Sequence, residues 1–522
     1  MAKQSDLHEF DNVFRHVKSF GRYQVIGYLS INLLIFSLSS QWGGIVFALS
    51  SPGFHCANTT GNTTCEPNVC CDECTSYVFD GTFTSSVTKW NLICDRAYLG
   101  ATIQSCFFVG MLIGSFVTGM VSDAWGRKEC IFFCNALFIV SNTASAFVDC
   151  ISFFAFLRFT VGFSMTGVML TSYIYGVELA GPKKRTAAGI ITYFYWSGSS
   201  VVFTLIAYLI RDWRYLLTAT CLPNILLFPF WRLMPESPRW LIANNKLDEA
   251  ENVLMKFGGK RGRPIDSDQL RKLIENIRID QEEKENHAER HTPLDLLRTP
   301  KMRKWTLIMG FQWFSTALES FGILIFFTQL AGDPYLNYLI LAIATVVRVP
   351  FTWVVFLKFG RRISYGGSVI FVGVVMLATY AVKDIPKATT AFAIIGFVLL
   401  DHIWSGVYLI TSEIFPTVLR NTGQGTGSTI ARIGAIIAPY VAMLSQIPSL
   451  GVIVPIVIFG ALALIAGVMM NWIPETLYAP MHQTIEEAEA AKEDFGIPCC
   501  GNILDEDERM DEDKQLTRIC LE

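Results

Sequence analysis

Charge is scarce in this sequence. Only 17% of its 522 residues are Asp, Glu, Lys or Arg, while 52% are hydrophobic; soluble domains carry about a quarter charged residues. With a mean hydropathy of +0.39, the length is not that of two or three ordinary soluble domains. A basic surplus is missing too: the net charge is -3 and the pI about 6.2, so nothing suggests nucleic acid as a partner. No Gly-x4-Gly-Lys-Ser/Thr phosphate loop occurs, which argues against ATP-driven pumping. No set of metal ligands and no nucleophile with its base stands out, so neither an enzyme nor a cofactor is expected. The first apolar run follows a polar stretch holding Asp6, His8, Glu9, Asp11, Arg15 and Lys18. It lacks a small-residue cleavage site and reads as a retained helix behind a cytosolic N-terminus, not as a signal peptide.

Apolar runs are what the sequence has in abundance, most of them long enough to cross the roughly 30 Å of hydrocarbon that about 20 helical residues span. They predict helices near residues 24–46, 98–120, 130–148, 152–178, 187–210, 214–234, 303–327, 335–357, 364–382, 388–412, 422–445 and 450–473. The expected fold is an all-α membrane protein, twelve transmembrane helices in two six-helix halves. In this division residues 1–23 are a cytosolic N-terminus, 24–234 the first half with an insert at 47–97, 235–302 a cytosolic linker, 303–473 the second half and 474–522 a cytosolic tail.

The insert fixes the expected sidedness. It holds Cys56, Cys65, Cys70, Cys71, Cys74 and Cys94 beside the sequons that begin at Asn58 and Asn62. Clustered cysteines next to glycosylation acceptors point to disulfides in an oxidising, extracellular compartment. Metal ligation, the alternative, would leave the sequons unexplained. Arg127, Lys128, Lys183, Lys184, Arg185, Arg361, Arg362 and Arg420 then all fall in cytosolic loops, as positive-inside bias requires. Arg211 and Arg214, after the fifth span, run against it.

Short motifs recur between the halves at a nearly constant offset. Gly126-Arg127-Lys128 returns as Gly360-Arg361-Arg362, 234 residues on; Glu178 and Arg185 return as Glu413 and Arg420, both 235 on; Pro235-Glu236-Ser237 returns as Pro474-Glu475-Thr476, 239 on. In register, they imply parallel halves related by an axis along the membrane normal, with a binding site at mid-depth between them. Asp123 with Arg127, and Glu178 with Arg185 or Arg127, form separable charge pairs at the cytosolic turns. Together with Arg361, Glu413 and Arg420 they are candidate gating residues. The plainer reading is that these arginines only mark the cytosolic face.

The sequence resembles the major facilitator superfamily and, within it, the organic cation, organic anion and carnitine transporters. The resemblance covers nearly the whole chain: the cysteine-rich first outer loop, Trp90-Asn91-Leu92-Ile93-Cys94-Asp95, Gly119-x3-Asp123-x2-Gly126-Arg127-Lys128, Arg158-Phe159 with Gly162, Pro235-Glu236-Ser237-Pro238-Arg239-Trp240, Glu413-Ile414-Phe415-Pro416-Thr417 to Arg420-Asn421, and Pro474-Glu475-Thr476-Leu477. Two of these, the Gly-x3-Asp-x2-Gly-Arg turn and the Pro-Glu-Ser-Pro-Arg segment, also mark sugar porters, whose paired glutamines in the seventh span are absent from Phe311 to Phe321. The resemblance implies a secondary transporter in the plasma membrane that moves small organic ions by alternating access. Its partners would be the substrate and the bilayer, together with a possible coupling ion whose identity the sequence does not give. An organic cation transporter, a sugar-porter-like uniporter and a receptor that does not transport remain as alternatives.

Four ionisable residues fall near the middle of the bilayer. Arg432 is 12 residues beyond Arg420, Arg348 is 12 before Gly360, Asp401 is 12 before Glu413 and Glu319 is 15 beyond Lys304. Twelve residues rise about 18 Å. Each would cost at least about 2.5 kcal/mol facing lipid, so all four are expected to face protein, either as two structural ion pairs or with one free for substrate. By the resemblance, Arg at the Arg432 position goes with anion and carnitine branches and implies an anionic or zwitterionic substrate, whereas Glu319 and Asp401 depart from the family's pattern. Tyr173, Tyr193, Tyr195, Trp313 and Phe321 are candidate cavity aromatics that would hold a flat or cationic group.

Overall fold

Backbone immersed in hydrocarbon must satisfy its hydrogen bonds within its own segment, so long apolar runs become helices. The computed structural model describes residues 10–59, 65, 67–71, 73–81, 83–259, 265–287, 292–326, 332–382, 385–447, 453–477, 479, 482–491, 493 and 495. The first half consists of α1 (Arg22–Gly44), which runs into a π turn over Ile45–Leu49, then the short α2 (Ser86–Trp90), α3 (Ala97–Trp125), α4 (Arg127–Phe147), α5 (Ile151–Leu179), α6 (Pro182–Leu209) and α7 (Trp213–Cys221). Three linker helices follow: α8 (Pro238–Ala243), α9 (Leu247–Phe257) and α10 (Ser267–His287). The second half is α11 (Pro300–Phe326), α12 (Pro334–Phe359), α13 (Arg361–Ala381), α14 (Pro386–Ile414), α15 (Arg420–Met443) and α16 (Ile453–Met469), and the tail carries α17 (Ile485–Ala490).

Nine helices among the described residues are long and apolar enough to cross a membrane, and shorter apolar stretches, Phe194–Leu209 and Pro334–Val346, lie within α6 and α12. The sixth predicted span is not one α-helix. It passes at Leu222 into a tighter 3-10 helix ending at Arg232, because Pro223 and Pro229 have no N–H to give and their rings crowd the preceding turn.

The halves meet through α3 against α15 and α6 against α12. The repeat offset carries α3 onto α12 and α6 onto α15, so the two contacts are exchanged by the symmetry read from the motifs. Within the first half, α3 and α5 approach backbone to backbone: a Cβ at Gly110 would stand 2.0 Å from the Phe159 carbonyl, and one at Gly162 2.0 Å from that of Phe107. Small residues drive helix packing where no hydrophobic effect operates between apolar surfaces.

The insert forms an antiparallel hairpin of β1 (Phe54–Thr59) and β2 (Cys74–Phe79), braced by Cys56–Cys74, Cys65–Cys71 and Cys70–Cys94 disulfides. It also grips the second half: the Cys70 N–H donates to the Gln446 carbonyl at 3.1 Å and the Cys94 N–H to Gln446 Oε1 at 3.2 Å. At the opposite end the tail docks on α11, where Glu489 accepts from the Lys301 N–H at 2.8 Å and Glu493 pairs with Lys304 at 3.0 Å. The predicted acidic run Asp505 to Asp513 and residues 1–9 lie outside the described residues.

Loop closure ranks the disulfides. Cys70–Cys94 spans 24 residues and Cys65–Cys71 only 6, which in the chain-entropy model correspond to about 3.5 and about 2.2 kcal/mol. Cys70→Ser/Cys94→Ser should therefore lower the melting temperature in detergent more than Cys65→Ser/Cys71→Ser; the reverse order would show that the longer bridge is not a main brace of the insert.

Candidate functional site

Each half ends, on the side away from the insert, in the same three-part ionic corner. In the first, Gly126 at φ +112° turns α3 directly into α4. The Glu236 carboxylate, at the start of the linker, then accepts the backbone N–H groups of Arg127 at 3.0 Å and Lys128 at 3.2 Å. An acid at a helix N-terminus meets both orphan donors and the positive end of the dipole. A Cβ at Gly126 would lie 2.3 Å from Glu236 Oε2, so only glycine lets the acid so close. Burial pushes the Glu236 carboxyl up from its ordinary value, while the N–H groups of Ser237, Lys128 and Arg127 hold it down. The Arg127 side chain reaches across to Glu178 on α5, Nε to Oε2 at 3.4 Å, and back to Asp123 at 2.5 Å.

The second corner repeats this on its own residues. Gly360 has φ +82°, Glu475 accepts the N–H of Arg361 at 2.8 Å and of Arg362 at 3.2 Å, and Arg361 Nε meets Glu413 at 3.3 Å. Thr476 Oγ1 donates to Glu413 at 2.6 Å. One partner differs: where Arg127 has Asp123, Arg361 Nη1 donates to the Phe356 carbonyl at 2.9 Å. Both arginines thus pair inside their own half. Arg420 Nη2 lies 3.4 Å from Thr417 Oγ1, and the Arg185 side chain is outside the described residues. In the sequence Glu236 and Glu475 stand only as members of the repeated motifs, and an acid in register behind each Gly-Arg turn is the signal for their capping.

Contacts between the halves gather at the insert end. Phe47 stacks on Tyr335 with ring centroids 4.9 Å apart, Trp42 on Phe321 at 5.0 Å, and Phe108 lies 4.7 Å from Phe321. Ser105 Oγ donates to the Ile436 carbonyl at 2.7 Å, and the Thr102 and Tyr440 hydroxyls are 3.1 Å apart. Phe321, a candidate cavity aromatic, is therefore part of an aromatic seal.

At mid-depth the predicted residues separate. Arg432 on α15 lies close enough to Tyr408 on α14 to interact with it electrostatically, and Tyr408 stands in the same relation to Tyr173 on α5 in the other half. Tyr173 is 64% exposed and Tyr408 44%. Arg432 makes no ion pair among the described residues, and its buried Nε has no hydrogen-bond partner. Trp313, fully buried, packs edge-on against Tyr408 at 4.5 Å and donates Nε1 to Thr411 at 3.1 Å. Arg348 Nη1 reaches Ser405 Oγ at 3.3 Å. His402 Nδ1 lies 2.9 Å from the Thr352 hydroxyl, and its ring stacks on Phe356.

Glu319 is 2% exposed, forms no ion pair among the described residues, and leaves Oε1 without a partner. Tyr195 is half-buried on α6, while the side chains of Asp401 and Tyr193 lie outside the described residues. Asn58 lies on β1 and Asn62 outside the described residues. Arg158, whose role the sequence pattern does not reveal, is fully buried, lies over the Phe107 ring at 5.0 Å and donates to Gln41 Oε1 at 3.3 Å. An arginine inside an apolar span was its visible signal.

Residues 58–489 match the family model described as sugar (and other) transporter. The chain is 33% identical to the organic cation transporter protein of Drosophila melanogaster, over 80% of this chain and 76% of that one, and 31% identical to organic anion transporter 3 of Sus scrofa, over 78% and 74%. Among solved structures it is similar to the xylose transporter of E. coli in its inward open conformation. There the TM-score is 0.64 at 16% identity, covering 90% of this chain and 98% of that one.

If the corners govern conformational exchange, Glu178→Gln and Glu413→Gln, which keep shape and remove charge, should each lower turnover on the order of tenfold, the worth of one charge-assisted hydrogen bond. Substrate affinity in detergent should stay unchanged. A parallel loss of affinity would place these acids in the site or in folding.

Proposed function

The chain belongs to the sugar (and other) transporter family of the major facilitator superfamily and, within it, to the organic cation, organic anion and carnitine transporters; on that premise we propose that it carries organic anions or carboxylate-bearing zwitterions across the plasma membrane. It is a secondary transporter of small organic ions, not an enzyme. The preference for a negative group rests on one observation: the Arg432 guanidinium, deep in the bundle, has no carboxylate partner among the described residues. A part-buried cation without a partner is poorly compensated, and a substrate carboxylate relieves that cost in a bidentate geometry that a planar guanidinium fits. Tyr408 and Tyr173, from opposite halves, then hold the remainder of the substrate, and a cationic group of a zwitterion sits on their faces.

Closure at the insert end and rigid corners at the other support an inward-facing state, with the insert extracellular and both termini cytosolic. Three disulfides suit an oxidising compartment, and the arginine-rich turns lie at the other end. Transport exchanges the aromatic seal for contacts between the two ionic corners, each corner moving as a unit with its half. Arg348, Asp401, Glu319, Tyr193, Tyr195 and Trp313 are supporting residues in this reading. A second reading, selection of organic cations, has one observation in its favour: Glu319 is a buried acid with no ion pair among the described residues.

Uptake of one anion, one zwitterion and one cation at matched surface expression separates the two. Arg432→Ala should reduce anion and zwitterion uptake by about a hundredfold or more, since removing one partner of a buried charge pair costs roughly 3–5 kcal/mol. Arg432→Lys should recover only part, having the charge without the fork. If the wild type prefers the cation and Arg432→Ala leaves that uptake intact, the second reading holds. Sidedness has its own check: glycosidase applied to intact cells should shift the gel mobility of the wild type but not of Asn58→Gln/Asn62→Gln, and an unshifted wild type contradicts an extracellular, glycosylated insert.

A further inference from the structure

At the end of the bundle away from the insert, outside the transport path, a cavity of about 280 Å³ opens between the α3–α4 turn, the chain leaving the first half, and linker helices α8 and α9. Lys128, Arg232, Lys246 and Lys256 line it. Among the described residues, none of these four cations has a carboxylate within 4.0 Å. Three ammonium groups rest instead on aromatic faces: Lys128 over Trp231 at 5.2 Å, Lys246 over Trp240 at 4.8 Å and Lys256 over Tyr23 at 5.9 Å. A ring face attracts a cation but accepts no more than a weak N–H contact, so the strong donors of all four remain available.

The acids in the wall do not neutralise them. Glu236 is taken up by the backbone N–H groups of the corner, and neither Glu129 nor Glu249 pairs with any of the four. Beside the cavity, Trp125 is 59% exposed, Trp231 36% and Leu233 55%. Exposed tryptophans at the ends of spans mark the level of the lipid headgroups, so the free cations stand where headgroups lie.

We propose that this cavity binds a phosphate monoester, as carried by the headgroup of an anionic lipid of the cytosolic leaflet. The phosphate offers three acceptor oxygens to the four donors, while the acyl chains run past Trp125 and Leu233 into the bilayer. A headgroup that engages Lys128 also bears on the Glu236 cap, since both belong to the same helix start. The lipid would therefore steady the corner from outside the substrate path. The assignment to the cytosolic leaflet rests on the orientation proposed above; binding itself does not.

The test uses the purified full-length protein in neutral detergent, with thermal melting read during titration by short-chain phosphatidylinositol 4-phosphate, by phosphatidylcholine and by soluble inositol 1,4-bisphosphate. The phosphoinositide should raise the melting temperature saturably and phosphatidylcholine should not. Lys246→Gln/Lys256→Gln should weaken that binding about twenty-fivefold, or fivefold per charge near a membrane surface. Soluble inositol phosphate binding as tightly as the lipid would support the phosphate site and overturn the lipid as its source. No saturable effect on the wild type, or an unchanged affinity in a folded double variant, overturns the proposal. Should the double variant fail to fold, Lys256→Gln alone, at an exposed position on α9, carries the same test at about fivefold. Because no transport is read and no membrane orientation assumed, this outcome is independent of the substrate assignment.

Discussion

A charge or polar group in a low-dielectric interior must be met by another group, and that requirement organises the whole molecule. Where α3 turns into α4 and α12 into α13, four backbone N–H groups at each new helix start would otherwise be left without partners. Glu236 and Glu475 answer this by lying across those starts. Once they are there, glycine is required at positions 126 and 360, the arginine side chains are aimed inward at Glu178 and Glu413, and the linker and tail are tied to the bundle. Much of the architecture at that end follows from two carboxylates.

The opposite end is held by a different chemistry. There the halves meet through stacked rings and through neutral hydrogen bonds to the Ile436 carbonyl and to Gln446. Neutral hydrogen bonds contribute about 0.5–1.5 kcal/mol each and aromatic pairs about as much. Such contacts can be broken and remade without leaving a buried charge alone, whereas the corner ion pairs cannot. The parts suited to separation lie between the halves, and the parts suited to permanence lie within them.

The fold was legible because its two strongest signals are physical: apolar length and motifs repeated in register. That register put the acids and arginines of the two corners at matching positions but left Glu178 between Arg185 and Arg127 and gave Arg361 no partner; the structure pairs Arg127 with Glu178 and Arg361 with Glu413. The broken sixth span was also written in the chain, since Pro223 and Pro229 fall inside it, but hydropathy averages over prolines and hides them. The centre was less legible. Helical rise places Arg432 and Glu319 at a depth but gives no azimuth about the helix axis, for them or for the candidate aromatics. Only packing could show that Phe321 turns to the seal, Trp313 into the second half and Arg432 towards Tyr408. Arg158 went unread for a related reason: its partner, Gln41, is uncharged and 117 residues away.

The two corners are not chemically equal. Arg127 has a third partner in Asp123, whose side chain is 75% exposed, whereas Arg361 uses the Phe356 carbonyl in its place. An exposed ion pair contributes less as salt rises, and a hydrogen bond to a neutral carbonyl is affected less. The first corner therefore has one exposed ionic contact at its arginine that the second replaces with a neutral acceptor. Salt thus bears on one of the Arg127 contacts, while its buried pair with Glu178, like that of Arg361 with Glu413, is shielded from it.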